Sequence, residues 1–597
     1  MKKTATDIFT HRLREFLREH QWTIIGLLAL TTYALGVIGA ATQFALTGER
    51  RSLTDPFFRA FQLFVLDDSM ITNGPIRSWQ LEAARFIAPA ISMYAALAAL
   101  FTVFGEQLTL MRLRFYRNHV VICGLGRKGL AYACDFRQQG DKVVVIERNA
   151  DNRGIATCRD LGIIVLVGDA TEQSVLKKAR IAHASHIVAI CGDDGTNAEI
   201  AIQAHQVVVA KPRHDAASVC CYVHIIDLRL CDLLAHHRVF SDFNDGFDAE
   251  LFNIYQNSAR ILFASWPPDR GQVSANSSKT VHLVIIGFGS MGESISLHMA
   301  RTGHFANNRK PRITIIDTDA DARKRVFLGS YPQFAQTCDA AFITADVDDL
   351  QMLEKVSVWA KDVESVTSVV VALDDDGRAL SCALGVAERL KGLDAPVLVR
   401  MSDDAGLGTL LDENSGGLRT IALPRPFGMP TGTCTRTLLL NEDVDRLARV
   451  VHEEYVKNRR NEGKAEDSST VSWDQLDHSL KDSNRWAADH LRTKLRAIGC
   501  RGASDGAVAE IVREFSKEEV EILARMEHCR WNAERFLAGW RRGPEDKPAN
   551  ISPYLVDWSD LPDSIKEYDR QAVRQIPRLL ELVGEKVHRI KAGTRLV

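Results

Sequence analysis

The chain has 597 residues, too many for one hydrophobic core and enough for three or four domains. Its 74 Lys and Arg are offset by 76 Asp and Glu, and a net charge of −2 leaves no basic excess for phosphates, which argues against a nucleic-acid partner. The 12 cysteines stand at irregular spacings without a C-x-x-C, and only Cys220 and Cys221 are adjacent. That pattern excludes a disulfide framework and a zinc site, and it predicts reduced thiols facing the cytosol. His183 and His186 have no acidic or cysteine partner nearby, so no metal site is expected.

From Gln21 to Gly48 no residue is charged, and Trp22 offers an interfacial anchor. Spanning the hydrocarbon takes about 20 apolar residues, so this run predicts a span over about 22–46. A second uncharged run, Phe86 to Gly105, predicts another over about 84–106, although Pro89 and Ser92 weaken it. A pair of buried core helices is the alternative. Between the runs, Phe57, Phe58, Phe61, Leu63, Phe64 and Leu66 predict a short interfacial or re-entrant helix over about 55–66. A potassium filter needs a glycine-containing run of carbonyls, and Gly48 and Gly74 sit in no such run. Basic residues flank both spans (Lys2, Lys3, Arg12, Arg14 and Arg18 before, Arg112, Arg114 and Arg117 after). With the cysteines, they favour a multi-pass protein of the inner (plasma) membrane with both termini cytoplasmic. Residues 1–117 form this transmembrane region.

Next comes a tandem pair. "HVVIC" is an apolar strand of the kind buried in a parallel sheet, and Gly124, Gly126 and Gly129 follow it as G-x-G-x-x-G. "KVVVIE" ends in Glu147, eighteen residues after Gly129, where a carboxylate can hold ribose hydroxyls. "GIIVLVGDA", "HIVAICGDDGTN" and "VCCYVHI" continue the alternation, so 118–268 reads as a doubly wound α/β domain. The order repeats over 280–430. "VHLVII" leads into Gly287, Gly289 and Gly292, and "ITIIDTD" carries Asp317, set further along by the inserted "GHFANNRKPR". Three more strand-like runs complete the repeat. Either glycine set can bind a nucleotide phosphate or make a tight turn with nothing bound. After neither sheet is there a catalytic constellation, so a sensor is expected and an enzyme is not.

Two spans followed by "HVVICGLGRKG…VVVIERN…GDAT…DDGTN" resemble the TrkA-N, or RCK, regulatory domain of potassium channels and transporters. The resemblance implies a Rossmann-like unit that binds nucleotides or ions and assembles into rings acting on membrane helices. It places the phosphate loop at Gly124, Gly126 and Gly129 with Arg127 and Lys128 beside it, the ribose carboxylate at Glu147, and the "GDAT" acid at Asp169. The implied cofactor is NAD(H) or another adenine nucleotide. The implied assembly is a homo-oligomer, a tetramer ahead of a dimer. Lacking the filter, the chain departs from the channels of that family, which puts conduction in doubt.

Beyond "ALPRPFGMP" a helix is predicted over 434–460, then a polar linker over 461–470, then a helical, tryptophan-rich segment. Ser516 and Glu519 form a capping box. "EILARMEHCRWNAERFLAGWRRG" and "SPYLVDWSDLPDSIKEYDRQAVRQIP" resemble the ryanodine-receptor repeat, or RyR domain, whose motif runs L-A-x-x-x-H-x-x-W, G-W-x-Y-G, H-P-x-L-x-P-Y-x-x-L. Leu523, Ala524, His528, Trp531, Gly539, Trp540, Gly543, Pro553, Leu555 and Leu561 match. Arg542, Ser552 and Trp558 replace a tyrosine, the histidine and a second tyrosine. His528, Trp531, Arg535, Trp540 and Arg542 supply aromatic faces and guanidinium groups suited to stacking a base and clamping a phosphate; a helical core with solvated arginines is the alternative.

The sequence thus reads as α/β: a two-helix transmembrane region, two tandem Rossmann-like (RCK/TrkA-N) domains and a mostly α-helical RyR domain over 434–597. The expected function is a ligand-gated membrane protein, channel-like or membrane-perturbing, that senses a nucleotide-type signal. The RyR resemblance adds antiphage defence as a setting. A membrane-anchored NAD(P)-dependent enzyme and a non-conducting nucleotide-binding scaffold are the rival readings.

Overall fold

A computed structural model of the chain describes residues 20–48, 52–65, 78–210, 218–235, 246–347, 349–403, 423–440, 445–461, 463, 467–504 and 510–590. They fall into two units, Met1–Phe115 and Tyr116–Val597.

Among its described residues the first unit holds three helices, α1 (Gln21–Thr47), α2 (Asp55–Gln62, continued by a 3-10 turn to Val65) and α3 (Trp79–Leu113). Helix α1 meets both α3 and α2 through small residues. A Cβ on Gly39 would stand 2.4 Å from the Leu81 nitrogen, and one on Gly36 would stand 3.1 Å from the Ala60 Cβ. Ala40, Ala84 and Ala88 are buried at the same contact, while Leu27, Leu28, Leu30, Phe86, Met93 and Leu97 face outward. Close approach over small residues with an apolar exterior is how helices pack in lipid. Helix α1 and residues Trp79–Leu100 of α3 are both long and apolar enough to cross a membrane. The helix expected over 84–106 runs longer at both ends, and the short helix between the spans stops at Gln62 with Phe57, Phe58 and Phe61 exposed. Leu66 and Gly74 lie outside the described residues.

The second unit contains two six-stranded parallel sheets. Strands β1 (His119–Cys123), β2 (Val143–Glu147), β3 (Ile164–Val167), β4 (Ala184–Ala189), β5 (Val219–His224) and β6 (Phe247–Phe252) lie in the order β3-β2-β1-β4-β5-β6. Strands β7 (Thr280–Ile286), β8 (Arg312–Asp317), β9 (Asp339–Thr344), β10 (Ser365–Val371), β11 (Val397–Arg400) and β12 (Arg425–Phe427) repeat that order in the second sheet. It is the doubly wound order whose switch point lies between the first and fourth strands, where the glycine turns sit. The central strands read as unbroken apolar runs because helices cover both faces.

The copies complete one another. Helix α4 (Arg127–Gln138) follows the first glycine turn. Helix α5 (Ile254–Ser265) follows β6 with Ile254 in the first core, but its Ala259, Leu262 and Phe263 are buried in the second core, against α6 (Ser290–Thr302). The return crossing comes after β12, where α7 (Pro430–Thr433) and α8 (Arg436–Leu439) bring Cys434 and Leu439 into the first core against α4. The single helix expected over 434–460 is therefore corrected. Its first part is α8, turned onto the first sheet, and a separate helix α9 (Arg446–Asn461) follows; Val444 lies outside the described residues.

The C-terminal helices α10 (His478–Ala497), α11 (Lys517–Leu537) and α12 (Asp563–Arg574) pack around Leu491, Leu495, Leu523, Ala524 and Val573, and the Ser516–Glu519 capping box opens α11. The core of this domain takes in Ala306, which belongs to the loop inserted in the second copy. Arg525 donates to the Ala306 carbonyl at 2.7 Å, and His490 Nε2 lies 2.9 Å from the His304 carbonyl oxygen. Buried ion pairs fix the dock: Arg260 with Asp489 (2.7 Å), Arg496 with Asp269 (2.7 Å), and Arg485 with Asp445 (2.6 Å) and Glu250 (2.9 Å).

Two outcomes follow from this packing. Arg485→Ala strands three carboxylates and should cost about 3–5 kcal/mol in a denaturant titration, whereas Arg378→Ala, which breaks an exposed pair with Asp346, should cost under about 0.5 kcal/mol. Burial lowers His119 and His282 to about 4 and His224 to about 3 from an unfolded value of 6.5. The folded state therefore favours their neutral form, so their contribution is complete above pH 6.5 and is lost as pH falls towards 4. Each should cost about 2 kcal/mol at pH 5, and a melting temperature unchanged between pH 7.5 and 5 would contradict it.

Candidate functional site

Both glycine turns are forced by geometry, but their surroundings differ. Gly124 has φ +101 and Gly287 φ +94, a region that side chains avoid. A Cβ on Gly129 would stand 2.0 Å from the Gly124 carbonyl oxygen, and one on Gly292 would stand 2.4 Å from that of Gly287. These glycines bring helix against strand. Gly126 differs, because a Cβ there would meet nothing within 4 Å. Packing does not require a glycine at this point, and the open space lies at the N-terminus of α4, whose unpaired N–H groups favour an anion. The equivalent position in the second copy, Gly289, has the Asp374 carboxylate 3.7 Å from its hypothetical Cβ.

The surrounding charges divide the copies in the same way. Arg127 and Lys128 open α4, whereas α6 opens with Ser290 and Met291 and carries Glu293 in its first turn. Glu293 lines a 240 Å³ cavity with Asp227 and Arg229, and burial, then Asp227, raises its carboxyl above the usual range. The first turn is flanked by two cations, the second by carboxylates, of which Asp374 is paired with Arg400 and Glu293 is shifted towards its neutral form.

The ribose acids occupy matching places. Glu147 accepts from the Leu125 N–H at 2.8 Å and the Asn149 N–H at 2.8 Å; Asp317 accepts from Phe288 at 2.7 Å and Asp319 at 2.9 Å. Asp317, read as set further along, is thus the geometric counterpart of Glu147, because the insertion loops out between α6 and β8. Each carboxylate oxygen keeps a lone pair for a hydroxyl. Asp169 accepts from the Thr171 N–H (2.9 Å) and Oγ1 (2.7 Å), which, with Arg148 nearby, hold its pKa down.

Arg127 and Lys128 reach across the chain. Arg127 Nη1 donates to Ser402 Oγ at 2.9 Å, just after β11 of the second copy, and Lys128 Nζ lies 4.6 Å from the centre of the Tyr255 ring on α5. Arg400 lies 5.5 Å from the same ring and pairs with Asp374. Sequence reasoning missed Ser402, Tyr255 and Asp374. Only Asp374 had a signal, since in the aligned repeats it falls where the first copy has Gly192.

In the RyR segment four of the five expected residues form a ladder along α11. The His528 ring stacks on Trp531 (6.1 Å between centres), and Arg535 lies between Trp531 and Trp540, at 5.5 and 4.7 Å. His528 is buried with Nε2 2.8 Å from the Val556 carbonyl oxygen, a core role. Arg535 Nε and Asn532 Oδ1 are buried without hydrogen-bond partners among the described residues. Arg542 stands apart, exposed in the two-residue strand β14 (Arg541–Arg542) after the thirteenth, Cys500–Ala503. The Trp540 carbonyl accepts from Gln333 of the second copy at 2.7 Å.

Residues 120–219 match the TrkA-N domain family and residues 510–589 match the RyR domain family. Over 96 residues the chain is 32% identical to potassium channel protein 1 of Methanocaldococcus jannaschii, covering 16% of this chain and 29% of that protein. Over 79 residues it is 35% identical to the Trk system potassium uptake protein TrkA homolog of Pyrococcus horikoshii, covering 13% and 34%. The chain spans about a third of the length of these relatives. Solved structures similar to it include the GsuK channel bound to NAD (14% identity, TM-score 0.38, 73% of this chain and 86% of that one) and the human SLO3 gating ring (11%, 0.33, 48% and 73%). The chain therefore carries a TrkA-N domain and an RyR domain, in a molecule with two membrane-length helices.

The glycines supply a test. Gly129→Ala forces Cβ into the Gly124 carbonyl and should cost roughly 1–3 kcal/mol or more in thermal melts, while Gly126→Ala should stay within about 0.5 kcal/mol of wild type.

Proposed function

We propose that the chain is a non-enzymatic, ligand-gated membrane protein whose first TrkA-N copy binds an adenine nucleotide, NAD(H) or ADP-like. The second copy and the RyR domain act as its transmission. One observation carries this reading: the two cations beside the open Gly126 turn are engaged at the junction of the copies, Arg127 on Ser402 of the second copy and Lys128 on Tyr255 of α5, the helix that packs into the second core. A phosphate seated at Gly126 competes for both, so binding and rearrangement between copies become one event. A ligand shifts an equilibrium only through such a difference in contacts. Glu147 would hold the ribose, and Asp169 lies at the end of the neighbouring strand. The cofactor would supply no chemistry beyond its charge and shape.

Further support comes from the match to the TrkA-N domain and from relatives named as a potassium channel protein and a potassium uptake protein. The outward-facing Leu and Phe side chains of α1 and α3 support two spans in a membrane, with the exposed phenylalanines of α2 at the interface; cytoplasmic termini in a plasma membrane are part of the proposal. A homo-oligomer, tetrameric by preference, would sum the rearrangements on the membrane helices. Antiphage defence is one setting for such a sensor.

The test is a thermal melt of the full chain in detergent with NAD, NADH, ADP or ATP. At a hundredfold excess over Kd the bound nucleotide should add about 2.7 kcal/mol. Gly126→Asp should abolish that shift, while Gly289→Asp should leave it intact. A shift surviving Gly126→Asp would move the site elsewhere in the chain.

A further inference from the structure

A cavity of 250 Å³ lies on the seam between α5 and α6 on one side and α10 with Leu447 on the other, at the C-terminal half of α6, the helix whose N-terminus carries the second glycine turn. Its apolar wall includes Phe263, Met299, Phe305 and Leu447. Three arginines also line it, yet none has charge to spare. Arg260 is held bidentate by Asp489 (2.7 and 2.9 Å), Arg496 by Asp269 (2.7 and 3.1 Å), and Arg492 by Glu585 (2.7 and 2.8 Å). A phosphate entering here would meet three cations already neutralised and the carboxylates that neutralise them.

The exception in this paired wall is His298. Its side chain is 6% exposed, sits edge-on to Phe263 at 5.0 Å, and makes no hydrogen bond through either ring nitrogen among the described residues. Burial lowers its pKa to about 4, so at neutral pH it carries one donor and one acceptor. Neither ring nitrogen is among the fully enclosed atoms without a partner, so both reach open space that a ligand or water can fill. His298 also lines a separate cavity of 50 Å³, where water can serve one nitrogen, leaving the other for whatever fills the larger space.

Size narrows the occupant. A dry cavity of about 150 Å³ holds benzene, so 250 Å³ takes a bicyclic ring. Thr302 and Thr493 also line the cavity, but their hydroxyls are engaged with the His298 carbonyl and Arg496, so a mostly apolar wall with His298 as its unengaged neutral group remains, the usual make-up of a small-molecule site. We propose that this seam is a second ligand site, independent of the glycine turns, which takes a neutral bicyclic heteroaromatic such as a free nucleobase and holds it by a ring nitrogen on His298. An occupant would touch α6 and α10 together and so strengthen the dock of the C-terminal helices on the α/β pair.

The experiment uses the full chain in detergent and ligand-observed NMR with benzimidazole, its carbocyclic counterpart indene, and AMP as competitor. Benzimidazole should bind the wild type and bind His298→Phe about tenfold more weakly, since the ring and its edge contact survive but the nitrogens do not. Indene should bind both alike. Leu447→Trp, which fills the cavity from a half-buried wall position and leaves His298 in place, should abolish both signals, and AMP should not compete. Absence of benzimidazole binding to the wild type would mean a water-filled seam and would overturn the proposal. So would equal benzimidazole affinity in His298→Phe, or competition by AMP. If His298→Phe does not fold, persistence of the signal in Leu447→Trp is sufficient to reject it.

Discussion

Each α/β copy is unfinished without the other, and the remaining architecture depends on that exchange. Helix α5 leaves the first sheet and buries Leu262 and Phe263 in the second core; Cys434 and Leu439 make the return journey into the first. Apolar surface of this kind contributes about 25 cal/mol per Å² buried, and it is removed from water only when both crossings are made. The exchange sets the end of β11, with Ser402, against the first glycine turn, and Asp227 and Arg229 beside the second. The duplicated fold thereby places residues of each copy beside the glycine turn of the other.

Duplication did not preserve equivalence. The second turn keeps the glycines that geometry demands, φ positive at Gly287 and close packing at Gly292, but has Asp374 and Glu293 beside it. Its loop insertion took on another task. Ala306 plugs the core of the C-terminal domain, and the carbonyls of His304 and Ala306 accept from its helices. The buried pairs of Arg485, Arg496 and Arg260 then fix one orientation of that domain. Within the domain, Glu527 is held below the usual carboxylate range because Arg530 and Lys494 overcome the cost of its burial. The Trp540 ladder touches the second copy through Gln333.

Much of the fold was legible in the residues. Ten strands announced themselves as apolar runs because a parallel sheet covered on both faces needs them. The sixth and twelfth strands did not. "FDAELF" carries acids at alternate positions, as an edge strand can, and "RPF" is three residues long with a proline tolerated only at an edge. The helix expected over 434–460 failed because its apolar residues serve two different cores, which no single periodicity can encode. At the site, the glycines and Glu147 were legible because turn geometry is local. The contacts of Arg127 and Lys128 were not, since Ser402 is 275 residues from Arg127 and meets it only through the exchange. Arg542 was grouped with the tryptophans by proximity in sequence, and the turn at Gly539, φ +79, carries it into a separate strand.

The central claim is that nucleotide binding and contact between the copies are one event. Hydrogen–deuterium exchange of the full chain, with and without ADP, addresses it most directly. The account predicts that ADP alters exchange at residues 124–130 and, in the same titration, at 400–403 and around Tyr255, with a common midpoint. Protection confined to 124–130, with 400–403 unmoved at saturation, would contradict it.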